Sequence, residues 1–172
     1  MGTRVRAFVG LGANLGEPAR AIADAVSRLG RLQDTRVLAV SSLYRSAPVD
    51  AEGPDFLNAV AELETPLDAG TLLAALHAIE SAYGRERPYR NAPRLLDLDL
   101  LTWGDAVRET PSLQLPHPRM HARAFVLAPL AEIAPDFALP DGPALGELLD
   151  ACADQRIERL ADEQEPDRTP AP

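Results

Sequence analysis

Hydrophobic and polar positions divide this 172-residue chain into short segments of two kinds. Arg4–Gly10 is a brief apolar run and reads as a strand. Pro18–Leu32 begins on a proline and closes around Gly30, the punctuation of a helix. Arg36–Tyr44 (RVLAVSSLY) and Phe56–Leu63 (FLNAVAEL) read as a second and a third strand. Leu72, Leu73, Leu76, Ile79 and Ala82 recur at helical spacing, so Ala69–Tyr83 predicts an amphipathic helix. Leu95–Trp103 is short, apolar and bounded by Pro93 and Gly104, which fits a buried strand. The order β-α-β-β-α-β is that of a ferredoxin-like α+β sheet with both helices on one face. Further helices are expected near Arg123–Ile133 and Ala144–Cys152, covering more of the sheet. One domain is expected over residues 1–160, and the polar, proline-bearing EQEPDRTPAP predicts a disordered tail over 161–172.

Two connections stand out. Ser46–Asp55, rich in proline, glycine and aspartate, is too long for a tight hairpin turn and reads as a functional loop. GLGANLG (Gly10–Gly16) lacks the G-K-[ST] ending of a phosphate-binding loop, and its spacing misses the dinucleotide fingerprint. A tight turn from the first strand into the first helix is expected there.

The stretch with the most chemistry is Gly84–Trp103, GRERPYRNAPRLLDLDLLTW. It puts Arg85, Arg87, Arg90 and Arg94 in an irregular loop ahead of Asp97 and Asp99 on the predicted strand. With period two, Asp97, Asp99 and Leu101 face one side and Leu96, Leu98 and Leu100 the other. Two carboxylates about 7 Å apart on a half-buried face repel each other and are costly to desolvate without a counter-charge. Each pairing with a nearby arginine is one answer. The other is a divalent cation shared with a polyphosphate whose remaining oxygens the arginines take in bidentate fashion. After a loop with four arginines, the metal–nucleotide reading is favoured.

Composition narrows this. All 17 basic residues are arginine, so a Walker-type lysine, a protein-kinase strand lysine and a Schiff-base lysine are excluded. A net charge of −9 argues against general nucleic-acid binding or an anionic membrane surface. The single cysteine, Cys152, allows no internal disulfide and suits a reducing compartment. The apolar run Ala7–Leu11 is too short for a signal peptide, and no run reaches membrane-spanning length, so a cytoplasmic protein is expected. His117 and His121 have a spacing that also permits zinc, without a credible third ligand. Cys152 reads as packing.

GLGANLG, SSLYRSAPVD, GPDFLNAV, IESAYGRERPYRNAPRLLDLDLL and LPHPRMHARAFVLAPLAEIAPD occur in the order and spacing of the 6-hydroxymethyl-7,8-dihydropterin pyrophosphokinases, which the chain resembles from about Val9 to Gly142. The resemblance implies a ferredoxin-like α+β fold and transfer of the terminal diphosphate of ATP to the pterin hydroxymethyl group, with release of AMP, in folate biosynthesis. It implies two Mg²⁺ ions held by Asp97 and Asp99. Arg85 and Arg94 match phosphate-contacting residues, with Asp97 and Asp99 completing the catalytic set. His77, Glu80, Arg87, Arg90, Leu100, His117 and Arg123 match positions at the ATP site, with Arg87 and Arg90 closing over it. Phe56 and Phe125 match the rings that sandwich the pterin, while Asn58 reads its edge together with Ser46, Ala47 and Val49. The expected partners are ATP and the pterin alone, without nucleic acid or membrane, in a stand-alone monomer.

Three departures from the family pattern are visible. Asn91-Ala92-Pro93-Arg94 replaces Trp-Gly-Pro-Arg in a loop one residue shorter, with Tyr89 nearby as the available aromatic. Ser46-Ala47-Pro48 stands where Thr-Pro-Pro is common, and His77 replaces a frequent glutamine. The rival readings are another D-x-D phosphotransferase, which would not need Phe56, Asn58 and Phe125, and a ferredoxin-like RNA-binding module. The acidic charge and 5% aromatic content weigh against the module.

Overall fold

The computed structural model describes residues 3–48, 53–83, 96–140 and 142–161. The main sheet is antiparallel in every pairing and uses β1 (Val5–Ala13), β2 (Arg36–Val40), β3 (Tyr44–Ser46), β4 (Phe56–Thr65), β5 (Asp97–Trp103) and β8 (Ile157–Arg159). Its order is β5-β1-β4-β3-β8, with β2 pairing the other end of β4 beside β3. A hairpin of β6 (Arg108–Glu109) and β7 (Gln114–Leu115) forms a separate two-stranded ladder, with β7 packed against β5. The expected ferredoxin-like arrangement is therefore present, extended by β8 at one edge.

Alternation along the strands sorts the core into two layers. Ala7, Val9, Leu11 and Ala13 of β1, with Leu98 and Leu100 of β5, pack against α1 (Pro18–Leu29) and α2 (Ala69–Tyr83). Phe8, Val60 and Leu101 face the other way, toward α3 (Ala124–Ile133) and α4 (Leu145–Ala151). A 3₁₀ turn, Met120–Ala122, leads into α3. The C-terminal helices cover more of the sheet, as expected, and do so on its second face. Cys152 is buried in that layer.

Two strand readings need correction. The segment 36–44 is two strands, not one. The Ser41 N–H donates to Val60 O at 2.9 Å, but the returning Val60 N–H goes to the Ser41 side-chain oxygen, also at 2.9 Å. A hydroxyl in place of a backbone carbonyl ends β2 and lets the chain re-enter as β3. GLGANLG, expected as a turn, lies largely within the sheet: Gly10–Ala13 continue β1, paired with β4 and, through Gly12, with β5. The turn follows, with Gly16 at a left-handed φ of 66°. Tail residues 162–172 lie outside the described residues.

Candidate functional site

The site stands on the face of the sheet that carries Leu101. Asp97 on β5 pairs with Gly12 on β1, Gly12 with Asn58 on β4, and Asn58 with Tyr44 on β3. One row across four strands thus reads carboxylate, bare backbone, amide, tyrosine. In the next row Asp99 pairs with Gly10, and Gly10 with Val60. The glycines leave a floor without side chains between the aspartates and Asn58. A cleft of about 250 Å³ opens over that floor, lined by Gly10, Gly12, Ser46, Ala47, Phe56, Asn58, Asp97, Asp99, Arg123 and Phe125 among others. Six of the seven sequence-predicted pterin-side and metal-side residues that can be placed here come from β3, β4, β5 and the start of α3, far apart in the chain.

Phe56 and Phe125 both line the cleft without stacking on each other; the ring pair formed among the described residues is Phe8–Phe137. The Arg123 guanidinium lies 5.4 Å from the Phe125 ring centroid, a cation–π contact that puts a positive charge beside the aromatic wall. Asn58 is 4% exposed, and its Nδ2 donates to Tyr44 O at 3.2 Å and Ser46 Oγ at 2.8 Å. Those bonds fix which end of the amide faces the cleft: a Cβ placed on Gly12 would meet Asn58 Oδ1 at 3.4 Å. The Ser46 hydroxyl thus helps to hold the Asn58 amide in place.

A second hollow of about 310 Å³ lies on the outer side of β5 and is lined by His77, Leu100, His117, Ser112, Gln114 and Asp99 among others. It brings together His77, Leu100 and His117, three of the residues expected at the nucleotide site. Ser112 and Gln114, on and beside the β6–β7 hairpin, were not singled out from sequence because a two-residue strand leaves no periodic signal. Asp97, Asp99, His117, Arg119 and Arg123 line the opening between the hollow and the cleft.

Glu80 lies one turn beyond His77 but is not among the residues lining the hollow. It accepts the Leu98 backbone N–H at 3.3 Å, between the two aspartates on β5. His117 accepts the Arg119 backbone N–H on Nδ1 at 3.2 Å, which places its proton on Nε2, 4.0 Å from Asp99 Oδ1. Burial pushes the imidazole below the ordinary histidine value; Asp99 opposes the shift, and Arg123 and Arg119 add to it. At neutral pH His117 is therefore an uncharged donor.

Asp97 and Asp99 suit a hard cation. Mg²⁺ takes one or two carboxylates and completes its shell with phosphate oxygens and water. Zinc asks for three or four protein ligands, and among the described residues no group of three or more His, Cys, Asp or Glu converges on one point. The predicted Val49, Arg85, Arg87, Arg90 and Arg94 lie outside the described residues.

Residues 8–135 match the family model for 7,8-dihydro-6-hydroxymethylpterin-pyrophosphokinase (HPPK). A Pseudomonas aeruginosa protein named 2-amino-4-hydroxy-6-hydroxymethyldihydropteridine pyrophosphokinase is 51% identical over 90% of this chain and 96% of its own length. A protein of the same name from Haemophilus influenzae is 38% identical over 91% of this chain and 98% of its own. Among solved structures, an HPPK-DHPS in complex with substrates aligns with a TM-score of 0.70 over 88% of this chain at 12% identity, a likeness of fold. This chain spans 44% of that one.

Proposed function

The chain belongs to the 7,8-dihydro-6-hydroxymethylpterin-pyrophosphokinase family, and from that premise we propose how its residues divide the reaction. The enzyme transfers diphosphate from ATP to 6-hydroxymethyl-7,8-dihydropterin and releases AMP, a step of folate biosynthesis. The observation that carries the residue assignment is the row Asp97–Gly12–Asn58. It sets an acceptor for a pterin edge and a cation-binding carboxylate on either side of a flat floor.

The pterin lies over Gly12 with Phe56 and Phe125 against its faces. Each such aromatic contact contributes about 1 kcal/mol beyond burial. Asn58 Oδ1 accepts a hydrogen bond from the pterin edge, with Ser46, Ala47 and Val49 completing that side. His77 and Leu100 flank the nucleoside, and His117, donating from Nε2, meets phosphate oxygens. Arg123 stands between the two ligands and steadies the transferred group. Asp97 and Asp99 would hold two Mg²⁺ ions, which when bound would neutralise charge on the phosphates. Arg85 and Arg94 contact phosphate, and Arg87 and Arg90 complete the site, on the strength of the family resemblance. The substrate hydroxyl attacks the β-phosphorus of ATP and gives up its proton to solvent, the bond from that phosphorus to the bridging α-phosphate oxygen breaks, and AMP leaves.

No helix among the described residues is long and apolar enough to cross a membrane. We place the protein in the cytoplasm as a monomer that binds neither nucleic acid nor membrane, in keeping with its net charge of −9. The test of the site assignment is calorimetric binding of a non-hydrolysable ATP analogue with Mg²⁺, and separately of the pterin. Asp97→Asn should weaken the Mg²⁺-dependent step and Asn58→Ala the pterin step. The reverse pattern would overturn the assignment.

A further inference from the structure

The strand that holds Asn58 in place is short and needs an anchor. β3 has three residues, paired on one side with β4 and on the other with the equally short β8. Its Tyr44 carbonyl and Ser46 hydroxyl are the two acceptors that orient the Asn58 amide. Beyond the sheet, the Tyr44 hydroxyl donates to Glu132 Oε1 at 2.8 Å, and the Ser42 backbone N–H donates to Glu132 Oε2 at 2.7 Å. Arg159 of β8 stands 3.5 Å from Glu132 Oε1 and also donates to Ser42 Oγ at 3.2 Å. Glu132 lies two turns after Phe125 on α3 and lines neither the cleft nor the nucleotide hollow. One carboxylate therefore ties the helix carrying an aromatic wall to the strand that orients the amide opposite.

We propose that Glu132 is a positioning residue for pterin recognition: through Tyr44 and Ser42 it sets β3, and through β3 the orientation of Asn58 and its spacing from Phe125. The proposal rests on the reading of the cleft as the pterin site. Both oxygens of Glu132 are used as acceptors, one from a hydroxyl and one from an amide. A glutamine keeps the shape and both contacts, because its oxygen accepts the Ser42 N–H and its amide nitrogen donates to the Tyr44 hydroxyl oxygen. An alanine loses both, leaving a buried phenol and a backbone N–H without their partner.

The test compares Glu132→Ala, Glu132→Gln and Tyr44→Phe in steady-state kinetics, with a pterin lacking the 2-amino group as a second substrate. Glu132→Ala should raise KM for the pterin about tenfold, the scale of lost hydrogen bonds to a charged group. KM for ATP should be unchanged, and preference over the 2-deamino analogue reduced. Glu132→Gln should restore pterin KM and preference to near wild type, and Tyr44→Phe should fall between. A merely structural role predicts parallel changes for both substrates, following the loss of thermal stability. That result overturns the proposal, as does Glu132→Gln behaving like alanine. If Glu132→Ala does not fold, an unchanged pterin KM and preference in Tyr44→Phe overturns it. In each of these outcomes the diphosphate-transfer activity itself stands.

Discussion

Gly12 stands directly opposite Asp97 in the antiparallel β1–β5 ladder, and its other neighbour across the sheet is Asn58. A side chain there would rise between Asp97 and Asn58, the proposed cation and pterin sides of the site. The nearest atoms to an added Cβ are Asn58 Oδ1 at 3.4 Å and Leu57 O at 3.9 Å, ordinary contact distances, so the backbone accommodates alanine. Gly12→Ala should therefore fold, with a thermal midpoint equal to or slightly above wild type, since alanine in a strand costs less conformational entropy than glycine. Pterin affinity should drop by about tenfold or more, from one methyl in a packed site, while affinity for an ATP analogue holds. Calorimetry with each ligand checks this.

Glu80 and Leu98 give a second prediction. The carboxylate that takes the Leu98 N–H fixes the strand between Asp97 and Asp99 at what is, among the described residues, an edge of the sheet. Glu80→Ala should shift the Mg²⁺ dependence of activity to higher concentration, by about tenfold for a charged hydrogen bond, with a smaller change in saturating kcat. A Mg²⁺ titration at fixed ATP measures it. An unchanged Mg²⁺ midpoint would mean that Glu80 does not set the aspartates.

Arg123 and Phe125 should be separable. Phe125→Ala removes an aromatic wall and should act on pterin KM, while Arg123→Ala should reduce kcat and the affinity for both substrates, because Arg123 lines both the cleft and the opening toward the second hollow. The double variant should show coupling of about 0.5–1 kcal/mol from the cation–π contact at 5.4 Å. Kinetics of the three variants supply the cycle.

Glu132 makes stability depend on pH. Burial opposes its ionisation, but the Ser42 N–H, the Tyr44 hydroxyl and Arg159 outweigh that and hold the carboxyl below the ordinary glutamate value. A depressed folded-state pKa stabilises the protein at pH values above the unfolded value of 4.5, and this is lost as pH falls through the folded value. The difference in melting temperature between wild type and Glu132→Gln should hold from neutral pH down to about 4.5 and shrink below it. Thermal melts across that range give the answer, and a difference that widened in acid would contradict it.

The pattern of the chain predicts the long elements well, because α2 and β5 each have a clear period and firm punctuation. It also places Asp97, Asp99 and Leu101 on one face, as found. What it hides are places where a side chain acts for the backbone. Ser41 replaces a carbonyl in the ladder and cuts one predicted strand in two. Gly10 and Gly12 look like a turn because glycine usually marks one, yet here they clear a floor. Only pairing across strands distinguishes the two uses, and a local window does not contain it. The same holds for Glu132, 88 residues from the tyrosine it holds. Asn58 is the reverse case: an amide in an apolar strand is unusual enough to be noticed before its partners are known.

The central claim is that the row Asp97–Gly12–Asn58 joins a nucleotide and a pterin for diphosphate transfer. The most direct measurement incubates the protein with ATP, Mg²⁺ and 6-hydroxymethyl-7,8-dihydropterin and quantifies the nucleotide and pterin products together. The account predicts AMP and the pterin diphosphate in equal amounts, both lost in Asp97→Ala while its circular dichroism matches wild type. Formation of ADP with a pterin monophosphate, or nucleotide turnover that ignores the pterin, would contradict it.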